Sequence, residues 1–174
     1  MLHTPNYDVR TRAFCGPTAI AAVTGEPVSV IRNIVRDIRG CTKSNGALLP
    51  IMGLSNEELL MTMARLGWFV TDKSGDTDNR ENKDIFRLDD FLDDIQMGRR
   101  KGTYIINVTG HYYAVDEDEV CDTRTQIPIE IHRFKRGRKR WIQRWWRFER
   151  DERVDAIKAG TLKEGPALLS KLFF

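Results

Sequence analysis

Phe14-Cys15-Gly16-Pro17-Thr18-Ala19-Ile20-Ala21-Ala22-Val23-Thr24-Gly25 is the stretch from which the fold can be read. Pro17 lacks an amide donor, so it suits the first turn of a helix and no interior position. Ala19 to Val23 are small and apolar, as a buried helix requires. Thr24-Gly25 supplies the stop, because glycine readily takes the left-handed conformation at a helix end. The stretch predicts a buried helix that begins at a thiol, with the unpaired amides of its first turn beside the sulfur.

Outward from that helix, Val28, Ile31, Val35 and Ile38 recur at spacings of three and four, which predicts a second helix ending at Gly40. Cys41 to Pro50 reads as a polar loop. Ser55-Asn56-Glu57-Glu58 has the form of a capping box and launches a helix through Leu59, Leu60, Met63 and Leu66, stopped by Gly67. Trp68 to Val70 reads as a short strand and Lys73 to Lys83 as an exposed loop. Leu88 to Ile95 resumes helical spacing, its acidic first turn suiting the positive end of the helix dipole. After Gly102 the pattern changes to strands at Tyr104–Val108, His111–Val115, Val120–Thr123, Gln126–Phe134 and Trp141–Phe148, with a turn at Arg136-Gly137-Arg138 between the last two. Asp151–Ala159 and Ala167–Phe173 read as terminal helices. Helices followed by an antiparallel sheet make an α+β order. The expected organisation is one domain over 1–174, with a helical part at about 15–97, a sheet at about 102–148 and a helical tail at about 151–174.

The chain has 174 residues, 41% hydrophobic and 30% charged, the composition of a globular domain with a real core. No apolar run reaches the roughly 20 residues of a membrane span, and the first residues carry no signal-peptide core, so a cytoplasmic protein without a membrane partner is expected. Three cysteines, an odd number without paired-ligand spacing, argue against a disulfide framework and against zinc. No cofactor or metal is expected. The net charge of +3 is unevenly spread. Asp72–Asp94 holds nine acidic and four basic residues, whereas Arg124–Arg150 holds ten basic and two acidic.

Far downstream of Cys15 lie Gly110-His111-Tyr112-Tyr113-Ala114-Val115-Asp116 and Val120-Cys121-Asp122-Thr123. A thiol is nucleophilic as thiolate, and a helix N-terminus lowers its pKa. A histidine can hold the abstracted proton, and a carboxylate can fix the imidazole. Cys15, His111 and Asp122 fill these roles if the two strands form a hairpin of suitable register. A two-residue turn at Asp116-Glu117 puts 111 opposite 122. One at Glu117-Asp118 puts 113 opposite 122, with 111 its diagonal neighbour. Either places His111 and Asp122 on one face, whereas a three-residue turn separates them. Cys41 in its loop, and Cys121 on the opposite face from Asp122, are read as incidental.

Cys15–Gly25, Gly102–Val115 and Val120–Thr123 together resemble papain-like cysteine peptidases, in particular the compact C39-like branch and small related proteins encoded by bacteriophages. The resemblance covers about residues 10–125. It implies Cys15 as nucleophile, His111 as general base and acid, and Asp122 as orienting carboxylate, acting on a peptide or protein in a host cytoplasm. Such peptidases supply a glutamine shortly before the cysteine for the oxyanion hole. Here no glutamine precedes Gln96, leaving Asn6, Thr11 or Arg12 as candidates. The same triad would serve acyl transfer or deamidation, and the missing glutamine keeps open an inactive binding module or inhibitor.

Arg133, Lys135, Arg136, Arg138, Lys139, Arg140, Arg144 and Arg147 surround Trp141, Trp145, Trp146 and Phe148. Three readings of this stretch are carried forward. It is a structural hairpin, with Trp141 and Trp145 on one face and Trp146 and Phe148 on the other; or a surface for an acidic protein, the Asp72–Asp94 stretch included; or a nucleic-acid site of phosphate contacts and stacking.

Overall fold

The computed structural model describes residues 1–8, 14–40, 50–51, 53–73, 87–135 and 137–151. The leading helix is α1 (Cys15–Thr24), followed by α2 (Val28–Arg39), and each runs into a left-handed glycine, Gly25 at φ 74° and Gly40 at φ 60°. Helix α3 (Asn56–Arg65) starts with the expected reciprocal cap. The Glu58 amide donates to Ser55 Oγ at 3.2 Å, and the Ser55 amide donates to Glu58 Oε2 at 2.8 Å. Helix α4 is Leu88–Gln96. The strands are β1 (Trp68–Lys73), β2 (Thr103–Val108), β3 (His111–Asp116), β4 (Glu119–Cys121), β5 (Ile129–Glu130) and β6 (Ile142–Arg150).

These strands form one antiparallel sheet in the order β1-β6-β2-β3-β4-β5, so the protein is α+β. Strand alternation sorts the apolar residues into two cores. Ile105, Tyr112, Ala114, Cys121, Trp146 and Phe148 meet α1, α2 and α3 on one face. Tyr104, Ile106, Val108, Tyr113, Val115 and Trp145 meet Leu88, Phe91, Leu92 and Ile95 of α4 on the other. Phe91 sets its ring against Tyr104 at 5.3 Å and Trp145 at 5.7 Å between centroids. Every residue of β3 is therefore buried, which explains an apolar run with little visible alternation.

Several expectations need correction. Gln126–Phe134 is not one strand. Gln126 takes φ 60° and Pro128 has no amide, so pairing is confined to β5 before a 3-10 turn over Ile131–Arg133. The stretch from 126 to 148 is not a hairpin either. β5 pairs with β4, whereas β6 lies between β1 and β2. The physical reason is that Trp145 and Trp146, on opposite faces, are both buried, and a central strand covered on both sides satisfies them. A bulge opposite Asn107/Val108 brings Ile142 onto the Trp145 face and leaves Trp141 55% exposed, so Trp141 does not share that face. The sheet also recruits β1 from within the helical part. The expected terminal helices, most of the Lys73–Lys83 loop, Cys41 and Arg136 lie outside the described residues.

Part of the basic stretch serves the fold. Arg138 reaches Asp93 of α4 at 2.6 Å, and the carbonyls of Arg138 and Arg140 accept the Asp89 and Leu88 amides at 2.8 and 2.9 Å. This is a local form of the acid–base pairing that the charge asymmetry suggested.

Candidate active site

The site lies where α1, β3 and β4 end together. Phe14 is the residue ahead of α1 and offers no side-chain cap, so the first amides of the helix are not consumed by one. The Thr18 amide begins the helical ladder by donating to the Phe14 carbonyl at 3.1 Å. The Gly16 amide turns toward the Cys15 sulfur, as does the backbone of Tyr112 at the start of β3. Gly16 has a steric reason as well. A Cβ there would lie 2.5 Å from Leu54 Cδ1 and 2.9 Å from Leu54 Cγ, so only glycine lets Leu54 cover the first turn of α1.

The β3–β4 register is Ala114↔Cys121, Val115↔Val120 and Asp116↔Glu119, which makes the turn Glu117-Asp118. This is the second of the two favourable registers. β4 stops at Cys121, and Asp122 follows on the face of His111 and Tyr113. His111 Nε2 and Asp122 Oδ2 are 2.8 Å apart. Nδ1 is thereby left for Cys15, to which the imidazole is hydrogen-bonded. The other carboxylate oxygen, Oδ1, accepts the amides of Arg124 at 2.9 Å and Thr125 at 2.8 Å. The Asp122 amide donates to Thr125 Oγ1 at 3.0 Å, and the Gln126 amide to the Asp122 carbonyl at 2.9 Å. Asp122 is thus both a turn residue and a histidine partner, and the turn aims the carboxylate. The edge of the His111 ring stands against Tyr113, with centroids 4.7 Å apart.

Charge follows geometry. Burial alone would push the Cys15 thiol up. The hydrogen bond from His111, the Tyr112 and Gly16 backbone and the nearby imidazole outweigh it, and the thiol falls below its ordinary value. Burial would push His111 down, but the bonds to Asp122 and Cys15 prevail and raise it to about 9. Asp122, 1% exposed, is held below the usual carboxylate range. His111 and the Thr125 and Arg124 amides overcome the burial that would raise it. All three shifts act in the direction of a thiolate facing an imidazolium. Cys121 behaves oppositely. Burial pushes its thiol up to about 11 and it packs into the core, in keeping with an incidental cysteine.

Set against protein-family models, curated proteins and solved structures, the chain matches none of them. The chemistry of the site therefore rests on its own residues.

Sequence reading brought Cys15, His111 and Asp122 together and missed their supports. The Asp122 turn needed the offset of Thr125, which was legible as a hydrogen-bonding residue three positions on. Tyr112 extends from the sulfur to α3, where its hydroxyl donates to Asn56 Oδ1 at 2.7 Å. Asn107 Nδ2 donates to the same oxygen at 2.8 Å. Burial and the neighbouring Cys15 push the Tyr112 phenol up to about 12, so it stays a neutral donor. These contacts join positions more than fifty residues apart, and no local signal announces them. Of the candidate oxyanion donors, Asn6 is held at the start of α2, where its carbonyl accepts the Val28 amide at 3.0 Å, toward the other end of α1 from Cys15. Thr11 and Arg12 lie outside the described residues. The Cys15 amide, at the uncapped start of α1, is the donor that the helix itself offers.

Among the described residues, no group of three or more His, Cys, Asp or Glu is arranged to hold a metal ion, and no helix is long and apolar enough to cross a membrane.

Proposed function

We propose that the protein is a papain-like cysteine hydrolase acting on a peptide or isopeptide bond. The observation that carries this reading is the chain of contacts from Cys15 through His111 to Asp122, with the His111–Asp122 bond at 2.8 Å and the imidazole raised to about 9. The Cys15 thiolate attacks the carbonyl carbon of the scissile bond. A C–S bond forms, and the oxygen that gains the electron pair faces the Cys15 amide. His111 then gives its proton to the leaving nitrogen as the C–N bond breaks, leaving a thioester on Cys15. Neutral His111 next takes a proton from water, the resulting hydroxide attacks the thioester carbonyl, and the acid and the Cys15 thiolate–His111 imidazolium pair are released. Asp122 holds the imidazole orientation throughout.

The test is selective labelling and turnover. In a Cys41→Ser background, iodoacetamide should alkylate Cys15 at pH 7 far faster than it alkylates the denatured chain. Peptide hydrolysis should disappear in Cys15→Ala. Labelling no faster than in the denatured chain would overturn the reading. If an amine acceptor is incorporated in place of water, the same thioester serves acyl transfer.

A binding module that keeps the fold without turnover is the competing reading, favoured by the absence of a glutamine ahead of Cys15. It predicts a biological effect that survives Cys15→Ala. Arg138 is a poor probe of that reading, because its ion pair with Asp93 belongs to the fold.

A further inference from the structure

Beyond His111, as seen from Cys15, the backbone turn that aims Asp122 opens onto a cavity of about 270 Å³. Ile129 and Phe134 contribute apolar wall, and Arg124, Arg133 and Lys135 contribute three cations. The acidic groups nearby are already engaged. Asp122 accepts from His111 with one oxygen and from two amides with the other. Glu130 pairs with Arg133 at 3.0 Å and His132 at 3.3 Å. Arg124 and Lys135 are exposed and meet no carboxylate among the described residues.

A cationic rim over an apolar wall fits a carboxylate on a short aliphatic stem, which is the side chain of glutamate or aspartate. A nucleic-acid strand would need an aromatic face for its bases. Phe134, the one aromatic residue that lines the cavity, is buried and offers none, and the exposed Trp141 is not part of the lining. The position of the cavity relative to the triad sets its place along a substrate. In the reaction proposed above, His111 protonates the leaving nitrogen, and the cavity adjoins Asp122, which is bonded to the far side of the imidazole.

We infer that the Arg124–Arg133–Lys135 cavity is a substrate subsite that takes an acidic side chain on the leaving-group side of the scissile bond. The inference rests on the cysteine-hydrolase reading for its place in the reaction, but not for the binding itself.

The experiment uses Cys41→Ser protein and labelled hexapeptides of glutamate, of glutamine and of phosphoserine, with an oligothymidylate of similar length. The glutamate peptide should bind at least about tenfold more tightly than the glutamine peptide. Arg124→Glu/Lys135→Glu should weaken that binding about tenfold, whereas Lys101→Glu/Lys139→Glu, an equal charge change outside the cavity, should change it less than about twofold. Bound glutamate peptide should also slow iodoacetamide alkylation of Cys15 in the parent, and should slow it less in Arg124→Glu/Lys135→Glu, each protein being compared with its own rate without peptide. Equal loss in both charge variants, tightest binding of the oligonucleotide, or peptide binding that leaves alkylation untouched would each overturn the subsite. Tighter binding of phosphoserine than of glutamate would move the ligand from carboxylate to phosphoryl and overturn the stated class. Failure of the hydrolase reading shows separately, as a Cys15 that alkylates no faster than in the denatured chain without any peptide present.

Discussion

Asp122 holds His111 with one carboxylate oxygen and its own turn with the other. Oδ2 stands 2.8 Å from His111 Nε2, while Oδ1 accepts the Arg124 and Thr125 amides. The imidazole is therefore oriented by backbone geometry and not by a freely rotating side chain. Asp122→Asn keeps an oxygen for the turn but removes the charge facing the ring. Turnover should fall by about 10²-fold or more, and the pH at which Cys15 becomes alkylatable should rise. An unchanged alkylation profile would show that the carboxylate does not act on the thiol.

His111 raised to about 9, beside a thiol lowered from its ordinary value, fixes the form of the pH profile. Turnover should rise as the Cys15 thiolate forms, at a pH below the ordinary thiol range, and fall as His111 loses its proton near pH 9. Stability has a matching sign. A histidine whose folded value lies above its unfolded one contributes stability that is full below about 6.5 and lost as pH rises through about 9. The difference in melting temperature between the parent and His111→Gln should therefore shrink between pH 7 and pH 10. A difference that grows over this window would contradict the protonated pair.

Gly16→Ala places a methyl group against Leu54, whose nearest carbon is 2.5 Å from the ideal Cβ position. Leu54 must move, and its carbonyl is also the 3.3 Å acceptor of the Tyr112 hydroxyl. Overpacking of this kind costs about 1–3 kcal/mol, and the thiol should lose reactivity along with stability. Denaturant unfolding together with Cys15 alkylation would check both. Full stability and reactivity in the variant would mean that Leu54 does not constrain the first turn.

Cys121 and Cys15 make a controlled comparison within one protein. The first is fully buried with its thiol pushed up to about 11, and the second is only partly buried with its thiol lowered. Mass-resolved labelling in the Cys41→Ser background should modify Cys15 alone until denaturant is added. Cys121→Val should leave the Cys15 rate within about twofold, since that site asks only for a small apolar side chain.

Trp145 lies between Phe91 and Tyr104 in the α4-side core. Trp145→Ala should destabilise by about 3–5 kcal/mol while leaving the amino-acid contacts around Cys15 intact, as melting and alkylation measured in parallel would show. Equal loss of thiol reactivity under folding conditions would mean that the two faces of the sheet are coupled more tightly than their separate cores suggest.

The legible parts of this molecule are those in which a local rule has one outcome. Gly25 and Gly40 end helices, Ser55 and Glu58 cap one, and a two-residue turn at Glu117-Asp118 puts His111 and Asp122 on one face. What sequence reading could not see depends on partners distant along the chain. β6 looked like half of a hairpin because its neighbours in sequence are turn-rich, yet its pairing is decided by burying Trp145 and Trp146 on opposite faces. Pro128, which has no amide to donate, is the local sign that Gln126–Phe134 does not run as one strand. The Tyr112–Asn56–Asn107 contacts and the cationic cavity behind Asp122 come only from the assembled fold.

The place of β6 between β1 and β2 also orders events during synthesis on the ribosome. β2, β3 and β4 are consecutive antiparallel neighbours and can zip together as they emerge, carrying His111 with them. Among the described strands β1 has β6 as its one neighbour, and Trp68 must wait for Arg150. Until the last described strand leaves the exit tunnel, β1 has no described strand to pair with, and Trp146 and Phe148 are missing from one core and Trp145 from the other. The nascent chain then exposes apolar surface of the kind that chaperones retain, while the half of the sheet that bears the histidine can already be paired.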